Sequence, residues 1–367
     1  MTERSRRGRD GRRPRGLLRR AGSRAAYLVA VVGGAVVLTA AVTAGYAYIS
    51  VDSTRKSVDL DRELGTRRPR NVEDGSLDIL LLGSDSRAGD NAEYGRDEGS
   101  SRSDTAMLVH IHEGRTRATV VSIPRDTLVF RPPCPGRDGR TVAAQDRAMF
   151  NSAYEVGGPA CAVRTVEHLS GIRLDHYIEV EFSGFKDIVD ALGGVELTTT
   201  ERIVDTDSRI DLPAGTHTLN GEQALALVRT RKGVGDGSDL GRIELQQAVF
   251  TALLHQIKRA GTFTDPKKLY DLARISARSI TTDEPLASTR ALIEFASALK
   301  ALAADRVHLV TLPVAMDAVD PNRVVPLPEE SRLLWQALRQ DRPVPGGIGR
   351  GAAGGRAKDV VKPKPPS

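Results

Sequence analysis

Aromatic residues and cysteines are scarce in this sequence of 367 residues. Phe, Trp and Tyr together make up 4% of the chain, which argues against a protein that stacks single-stranded nucleic acid on aromatic side chains. The two cysteines, Cys134 and Cys161, carry little information in a cytosolic protein, but outside a membrane they can pair.

The sequence also lacks the short motifs of several large enzyme classes. It has no GxxxxGKS or GxxxxGKT loop, no GxGxxG after a predicted strand, no GxSxG elbow, no HExxH and no paired CxxC. P-loop hydrolysis, hydride transfer and zinc chemistry are therefore poorly supported. The seven histidines are scattered, and we expect each to be structural or at the surface rather than a metal ligand.

The formal net charge of +6 belongs to the two ends of the chain. Residues 1–24 contain ten arginines and two acidic residues, and residues 341–367 contain six basic and two acidic residues. The long middle part is net negative as a result, which argues against a DNA-binding domain. We predict no nucleic-acid partner.

Residues 25–51 contain no charged side chain, and about 20 apolar residues are enough to cross a bilayer as a helix. The arginine-rich flank that precedes this run predicts a cytoplasmic N-terminus. We therefore expect a single-pass protein of the cell membrane, with the rest of the chain outside. The alternative is a cleaved signal peptide, whose apolar core is shorter.

The chain accordingly divides into five predicted segments. They are a basic cytoplasmic tail (1–24), a transmembrane helix (25–51), a juxtamembrane linker (52–76), an extracytoplasmic domain (77–340) and a disordered tail (341–367). The tail at the N-terminus is interpreted as topogenic charge, and binding to anionic lipid or a cytoplasmic partner is the alternative.

Three short apolar runs, residues 77–82, 105–112 and 117–123, predict neighbouring strands of a buried sheet. Later patterns predict further strands at 176–182, 195–200 and 306–312, and helices at 159–170, 184–192 (capped by Ser183), from 221, 239–259, two within 266–304, and 328–339. The fold class predicted from this order is α/β (α-β-α), with a central mixed sheet flanked by helices.

Acidic and basic side chains follow or precede the first three strands. Asp85 and Asp104 stand at strand ends, and two carboxylates with phosphate oxygens and water satisfy Mg²⁺. Arg87, Arg102 and Arg125 lie beside them, and guanidinium groups suit phosphate. Turn and cap roles for the aspartates, and surface ion pairs for the arginines, are the structural alternatives.

A second basic group lies downstream. Arg229 and Arg231 are two residues apart and point to one side of an extended chain. Arg242 and Gln246 are four residues apart on one face of the long predicted helix. A glycine-rich loop joins the two pairs, so both can approach one anion.

These motifs together resemble the LytR-CpsA-Psr family of membrane-anchored cell-wall enzymes. The resemblance runs from about residue 77 to 247 and rests on LLLGSDSR, RSDT, SIPRDT, FNSAY, DHYIEVEFSGF, IVDALGGVE, LPAGTHTLNGEQALALVRTR and DLGRIELQQ. It implies an extracytoplasmic phosphotransferase that moves an anionic glycopolymer from a polyprenyl-pyrophosphate carrier to peptidoglycan through a phosphodiester bond. The polymer is not identified by the sequence.

The resemblance also implies roles for residues of this chain. Asp85 and Asp104 would hold Mg²⁺ and, with Arg125, form the catalytic set. The pyrophosphate would be bound by Arg87, Arg102, Arg125, Arg229, Arg231, Arg242 and Gln246. The apolar faces of the flanking helices would enclose the lipid. Asp85, Asp104 and Asp126 all stay candidates for the general base.

Two departures from the family pattern lie near the expected site. The segment between Arg87 and Arg102 lengthens one loop, and the loop that contains Cys134 is also long. With Cys161 outside the membrane, we predict a disulfide between the two cysteines; two free thiols are the alternative. Two other functions stay open: a non-catalytic polyprenyl-phosphate binding or regulatory protein, and a polyprenyl-pyrophosphate pyrophosphatase.

Overall fold

The computed structural model describes residues 57–72, 74–84, 103–230, 234, 239–349 and 360–363. The described helices are α1 (Leu60–Leu64), α2 (Phe150–Ser170), α3 (Phe182–Ala191), α4 (Gly221–Arg229), α5 (Asp239–Arg259), α6 (Pro266–Ser279), α7 (Thr289–Ala298) and α8 (Pro328–Arg339). The described strands are β1 (Ser57–Val58), β2 (Leu77–Ser84), β3 (Ser103–Ile111), β4 (Ala118–Ser122), β5 (Leu128–Arg131), β6 (Cys134–Pro135), β7 (Thr141–Val142), β8 (Gln145–Met149), β9 (His176–Glu181), β10 (Val195–Thr199), β11 (Ile203–Asp205), β12 (Ile210–Leu212), β13 (Gly215–Leu219), β14 (Ile280–Asp283), β15 (Val307–Thr311), β16 (Val314–Met316), β17 (Val324–Pro326) and β18 (Val361–Pro363).

A mixed seven-stranded sheet forms the centre, in the order β1-β14-β9-β2-β3-β4-β15. β2, β3 and β4 are consecutive and antiparallel, whereas β9 and β15 join them in parallel. The prediction that the first three apolar runs are neighbouring strands is confirmed.

The register of these strands decides which side chains share an edge of the sheet. Gly83 pairs with Thr105 near the end of β2, and Met107 pairs with Ser122 at the end of β4. The last residues of β2 and β4 and the first residues of β3 therefore lie at one edge. All three polar clusters of the sequence follow or precede the strands at this edge.

Alternation along the strands supplies a core on each face of the sheet. Leu80, Leu82 and Leu108 belong to the larger core, which α2 and α8 cover and which includes the buried Trp335. The opposite face contributes another core, which α7 covers; its strand residues include Ile79, Val109, Ile111 and Ala118. Helices on both faces of a mixed sheet confirm the predicted α/β class.

A further core lies between α5 and a smaller sheet of order β13-β10-β18. Val195 and Leu197 of β10 are fully buried in it, together with Leu245 and Val249 of α5. The helix α5 contributes to two cores, since Leu240 and Ile243 belong to the larger one.

The prediction that residues 52–76 form a linker is wrong for the part that the structure describes, because these residues belong to the folded domain. β1 pairs in parallel with β14 at the edge of the central sheet, and α1 buries Leu60 and Leu64 in the main core. Arg68 also forms a buried ion pair with Glu167 of α2, at 2.7 Å. The sequence pattern missed this segment because its two apolar anchors stand among many charged residues.

The predicted disordered tail, residues 341–367, is likewise wrong in part. Asp341 lies within hydrogen-bonding distance of His110 and His112, and Val344 is buried in the main core. Further on, β18 pairs antiparallel with β10 and buries Val361. Glycine and proline dominate the composition of this segment. A few apolar residues, such as Val344 and Val361, are nevertheless enough to pack parts of it against the folded domain.

Three local predictions also need correction. Residues 280–283 form strand β14 between α6 and α7, where only helices were expected. The helix predicted from Pro159 begins at Phe150 and continues to Ser170 across a kink at Gly158. Ser183 lies inside α3 rather than capping it, because Glu181 is the residue that precedes the first turn.

The predicted transmembrane helix at 25–51 and the basic tail at 1–24 lie outside the described residues. Within the described ranges, no helix combines the length and the apolar character that crossing a bilayer requires.

A disulfide joins Cys134 of β6 to Cys161 of α2, as predicted. Both cysteines are buried, in a small cluster with Ala153. The disulfide thereby fixes the loop that contains Cys134 against α2. Asn151 lies in the first turn of this helix.

We expect replacement of both cysteines by alanine to lower the free energy of unfolding by about 3–4 kcal/mol, because the bond closes a loop of 27 residues. Urea unfolding, followed by the fluorescence of Trp335, measures the change. Reduction of the disulfide in the wild-type protein should lower the free energy of unfolding by about the same amount. Equal stability of the oxidised protein and the double variant would contradict the prediction.

Gly184 lets α3 approach the end of α6. A Cβ atom at this position would lie 1.9 Å from the backbone oxygen of Ser279. We expect Gly184→Ala to lower the free energy of unfolding by about 1–3 kcal/mol through overpacking. The matched control is Gly346→Ala, because a Cβ atom at this position meets no atom within 4 Å. This variant should have the same free energy of unfolding as the wild type. The same fluorescence-detected unfolding compares them, and equal curves would refute the close approach.

Candidate functional site

A cavity of about 1050 Å³ opens at the sheet edge where β2, β3 and β4 bring their polar clusters together. Strand residues Gly83 and Thr105 form part of its wall. The other walls come from α3, α4 and α5 and from the loops after β4 and β16. The polar residues that line it are Arg125, Asp126, Asn151, Glu181, Asp205, Asp207, Ser208, Arg229, Arg242, Gln246, Asn322 and Arg323.

The turn after β4 positions Arg125 and Asp126. The backbone N–H of Thr127 donates to the carbonyl of Pro124 at 3.1 Å, and its hydroxyl donates to the same oxygen at 2.7 Å. The N–H of Asn151 donates to the carbonyl of Arg125 at 3.0 Å, which ties the turn to the start of α2. Both side chains of the turn therefore face the cavity from a fixed backbone.

Asn151 contributes a polar atom to the same place. Its side-chain Oδ1 is buried and has no hydrogen-bond partner among the described residues. A buried amide oxygen of this kind has a desolvation cost unless a ligand or a water donates to it.

One face of α5 supplies both a polar and an apolar wall. Arg242 and Gln246, one turn apart near its start, are 3% and 8% exposed. The same face continues with Val249, Phe250, Leu253, Leu254 and Ile257, which all line the cavity. The cavity therefore follows about 22 Å of helix and becomes apolar along it.

Arg229 ends α4 and faces the cavity beside an aromatic ring. Its guanidinium carbon lies 4.9 Å from the ring centroid of Phe182, at the start of α3. A guanidinium over an aromatic face is held in orientation by the ring.

Four of the seven residues predicted to bind pyrophosphate are described, and the fold brings all four to this cavity. They are Arg125, Arg229, Arg242 and Gln246. Arg87, Arg102 and Arg231 lie outside the described residues, as does Asp85. The backbone of Asp104 belongs to β3 between Ser103 and Thr105, at the edge that borders the cavity, and its side chain is outside the description.

Several other residues line the cavity whose role is not predicted by any sequence motif. Asp205 is buried, and its carboxylate accepts a hydrogen bond from the N–H of Asp207 at 2.9 Å. Both aspartates come from the hairpin of β11 and β12, which no quoted motif contains. Their approach to the cavity is a long-range contact that local spacing does not reveal.

A buried carboxylate lies just behind the edge of the sheet. The alternation of β9 predicts a half-buried strand, and the buried side chains are Tyr177 and Glu179. Glu179, 4% exposed, accepts a hydrogen bond from the hydroxyl of Tyr177 at 2.7 Å and another from Tyr154 of α2 at 2.5 Å.

Burial and the neighbouring Glu179 raise the pKa of both tyrosines well above the usual range. Both hydroxyls are therefore protonated donors at physiological pH. Tyr154 also shares a hydrogen bond with Ser84, the last residue of β2. The network thus connects α2 and β9 to the strand end that precedes Asp85.

The model of the LytR_cpsA_psr family matches residues 45–338 of this chain. The chain belongs to the LytR-CpsA-Psr family. The match covers most of the sequence and includes the strands, helices and loops that form the cavity, so the predicted family resemblance is confirmed.

Curated relatives in this family are named for work on the cell wall. The cell wall biosynthesis protein LcpA of Corynebacterium glutamicum is 33% identical over 269 residues, which are 66% of this chain and 51% of LcpA. The polyisoprenyl-teichoic acid–peptidoglycan teichoic acid transferase TagT of Bacillus subtilis is 32% identical over 233 residues, which are 60% of this chain and 67% of TagT. The match thus spans about half the length of LcpA.

A solved LytR-CpsA-Psr structure supports the fold. TagT bound to LIIa-WTA superposes with a TM-score of 0.54 at 26% identity, over 77% of this chain and 98% of TagT. The central mixed sheet with flanking helices is therefore a shared architecture.

We expect Tyr154→Phe to lower the free energy of unfolding by about 1–3 kcal/mol, because it leaves the buried carboxylate of Glu179 with one donor fewer. Urea unfolding of the purified protein measures this loss. The control is Tyr270→Phe, at a position 45% exposed, which should stay within about 0.5 kcal/mol. Matching losses in the two variants would show that the network contributes nothing specific.

Proposed function

We propose that this protein transfers an anionic glycopolymer from a polyprenyl-pyrophosphate carrier to peptidoglycan, through a phosphodiester bond. One observation carries the proposal: three arginines and a glutamine from three elements converge at the polar part of a cavity whose continuation is apolar. The names of the relatives, which include teichoic acid transferases, support the same reaction class.

The polar part fits a pyrophosphate. Arg125, Arg229 and Arg242 offer planar N–H donors that bind phosphate oxygens in pairs, and Gln246 adds a neutral amide. Arg242 is almost fully buried, where a guanidinium interacts more strongly with an anion than in water. Arg87, Arg102 and Arg231 are proposed to complete this set.

The apolar part fits the polyprenyl chain. Helix α3 contributes Phe185 and Ile188, and Leu192 follows its last residue. Helix α5 contributes the leucine, valine, phenylalanine and isoleucine side chains of its second half. A hydrocarbon chain bound in this space removes its own apolar surface and that of the cavity wall from water. Each Å² of apolar surface buried in this way contributes about 25 cal/mol of favourable free energy. Lipid and phosphate recognition thus share one continuous cavity.

The residues at the sheet edge are suited to Mg²⁺. Asp104 lies in β3 between Ser103, which pairs with Ser84 at the end of β2, and Thr105, which pairs with Gly83. Asp85 follows Ser84 in the sequence, which supports the proposal that the two aspartates act together. Mg²⁺ prefers oxygen ligands and needs few from the protein when phosphates supply others. Asp85 and Asp104 would hold the ion, which would offset the negative charge that develops on the phosphate oxygens.

The reaction itself requires positioning more than covalent catalysis. A hydroxyl oxygen of the acceptor sugar attacks the phosphorus that carries the glycopolymer. The bond from this phosphorus to the bridging oxygen breaks, and polyprenyl phosphate leaves. The arginines stabilise the charge on the leaving group. The hydroxyl proton passes to a carboxylate. Of the three candidate bases, Asp126 is the one whose side chain the structure describes, and it lies on the cavity wall.

We further propose that residues 25–51 anchor the protein in the cell membrane and that its folded part lies outside. The apolar carrier would then enter the cavity from the bilayer. A disulfide between Cys134 and Cys161 is consistent with an oxidising compartment.

The full-length protein in detergent tests the proposal. It is incubated with a polyprenyl-pyrophosphate-linked oligosaccharide, a peptidoglycan oligomer and Mg²⁺, and a phosphodiester-linked product is sought by mass spectrometry. We expect product from the wild type and its loss on chelation of the metal. Arg125→Ala and Arg242→Ala should each lower the rate by at least about a hundredfold, since each removes a donor to developing charge.

Arg202→Ala is the matched control, because Arg202 is an exposed arginine paired with Asp211 on a hairpin and does not line the cavity. Its rate should equal that of the wild type. Binding of the lipid-linked substrate without any reaction would favour the non-catalytic binding protein. Release of free sugar phosphate in place of joined product would favour the pyrophosphatase.

A further inference from the structure

Two histidines and an aspartate converge at the opposite edge of the central sheet. They are His110 near the end of β3, His112 just beyond it, and Asp341 after α8. One side-chain atom from each of the three lies within 4.8 Å of the others. His110 is seven residues along β3 from Ser103, so the cluster is roughly 23 Å from the cavity edge.

Hydrogen bonds to the outer nitrogens fix both rings. His110 Nδ1 lies 2.8 Å from the carboxylate of Asp78, its cross-strand partner, and His112 Nε2 lies 3.1 Å from Thr119 Oγ1. A carboxylate cannot donate, so the proton of a neutral His110 is on Nδ1. The lone pair of its Nε2 then faces inward.

Both inner nitrogens face the same carboxylate oxygen. Asp341 Oδ1 lies 3.0 Å from His110 Nε2 and 2.5 Å from His112 Nδ1. A lone pair and a carboxylate oxygen repel each other at this distance, so positive charge is required between them.

The position of Asp341 adds to this requirement. It follows the end of α8, where the helix dipole disfavours negative charge, and its backbone has a φ of +48°. The backbone N–H of Glu113 binds its Oδ2 at 3.2 Å, which directs Oδ1 toward the histidines. The carboxylate is thus held in an unfavourable place by its contacts with β3.

We infer that His110, His112 and Asp341 form a binding site for a divalent transition-metal ion such as zinc. Two imidazoles and a carboxylate are a common ligand set for zinc, with water in the fourth position. Asp78 and Thr119 act as the outer hydrogen-bond partners that orient such histidines. The site joins the segment after α8 to the central sheet, and it is separate from the proposed Mg²⁺ position.

The test uses the full-length protein in detergent, freed of metal with a chelator and dialysed against one equivalent of Zn²⁺. We expect one tightly bound zinc per chain by elemental analysis, and a higher melting temperature than the metal-free protein. His112→Ala and Asp341→Asn should abolish the uptake. Asp78→Asn should weaken zinc binding roughly 10–100-fold, as expected for an outer partner.

Three further variants separate ligation from folding and from other sites. Asp341→His supplies a different ligand atom and should retain zinc, although it removes the carboxylate. His308→Ala removes an exposed histidine of β15, and Asp104→Ala alters the proposed Mg²⁺ position; both should bind zinc like the wild type. Visible absorption of the Co²⁺-loaded protein should show a four- or five-coordinate spectrum only where the cluster is intact.

The inference is overturned if the wild type takes up no more zinc than His112→Ala and its melting temperature does not respond to the ion. In that case a proton on His110 supplies the charge, and the cluster is an ion-pair network. Since the zinc assay involves no lipid-linked substrate, its outcome is independent of the proposed transferase activity.

Discussion

The antiparallel register of β2, β3 and β4 is the constraint on which the site depends. It brings two strand ends and one strand start to the same edge, so that residues up to forty positions apart in the chain meet there. A shift by one residue would turn Leu80, Leu82 and Leu108 out of the core and move the polar clusters at the same time. The burial of these leucines therefore also holds the chemical groups in place.

The long helix α5 connects the chemistry of the edge to the rest of the cavity. Its first turns present a nearly buried Arg242 and Gln246, and its later turns present only apolar side chains on the same face. Behind this face, the amide of Gln247 donates to Ser122 at the end of β4, at 3.0 Å. The hydrogen bond thus ties the helix to the sheet edge. One rigid helix therefore supplies both the polar wall and the apolar wall of the cavity.

The central strands, the fold class and the convergence of Arg125, Arg229 and Arg242 could be predicted because each rests on local periodicity or on a motif. The contributions that could not be predicted are long-range. Only helices were expected around β14, because its four residues have no alternation of their own, and the sequence pattern of β9 does not reveal that Glu179 is buried. Its burial depends on Tyr154, which lies 25 residues away in sequence. Asp341 lies 231 and 229 residues from His110 and His112 in sequence, yet it contacts both.

The strand β18 has a consequence for how the protein can be shortened. It pairs with β10, whose other neighbour is β13, so β10 is an interior strand only while the last part of the chain is present. The family match ends at residue 338, before Asp341, Val344 and β18. A chain cut at that point would expose the backbone groups of β10 as a bare edge, open to pairing with another molecule. The family match therefore ends before the hydrogen bonding of the fold is complete, and we expect the shortened protein to self-associate.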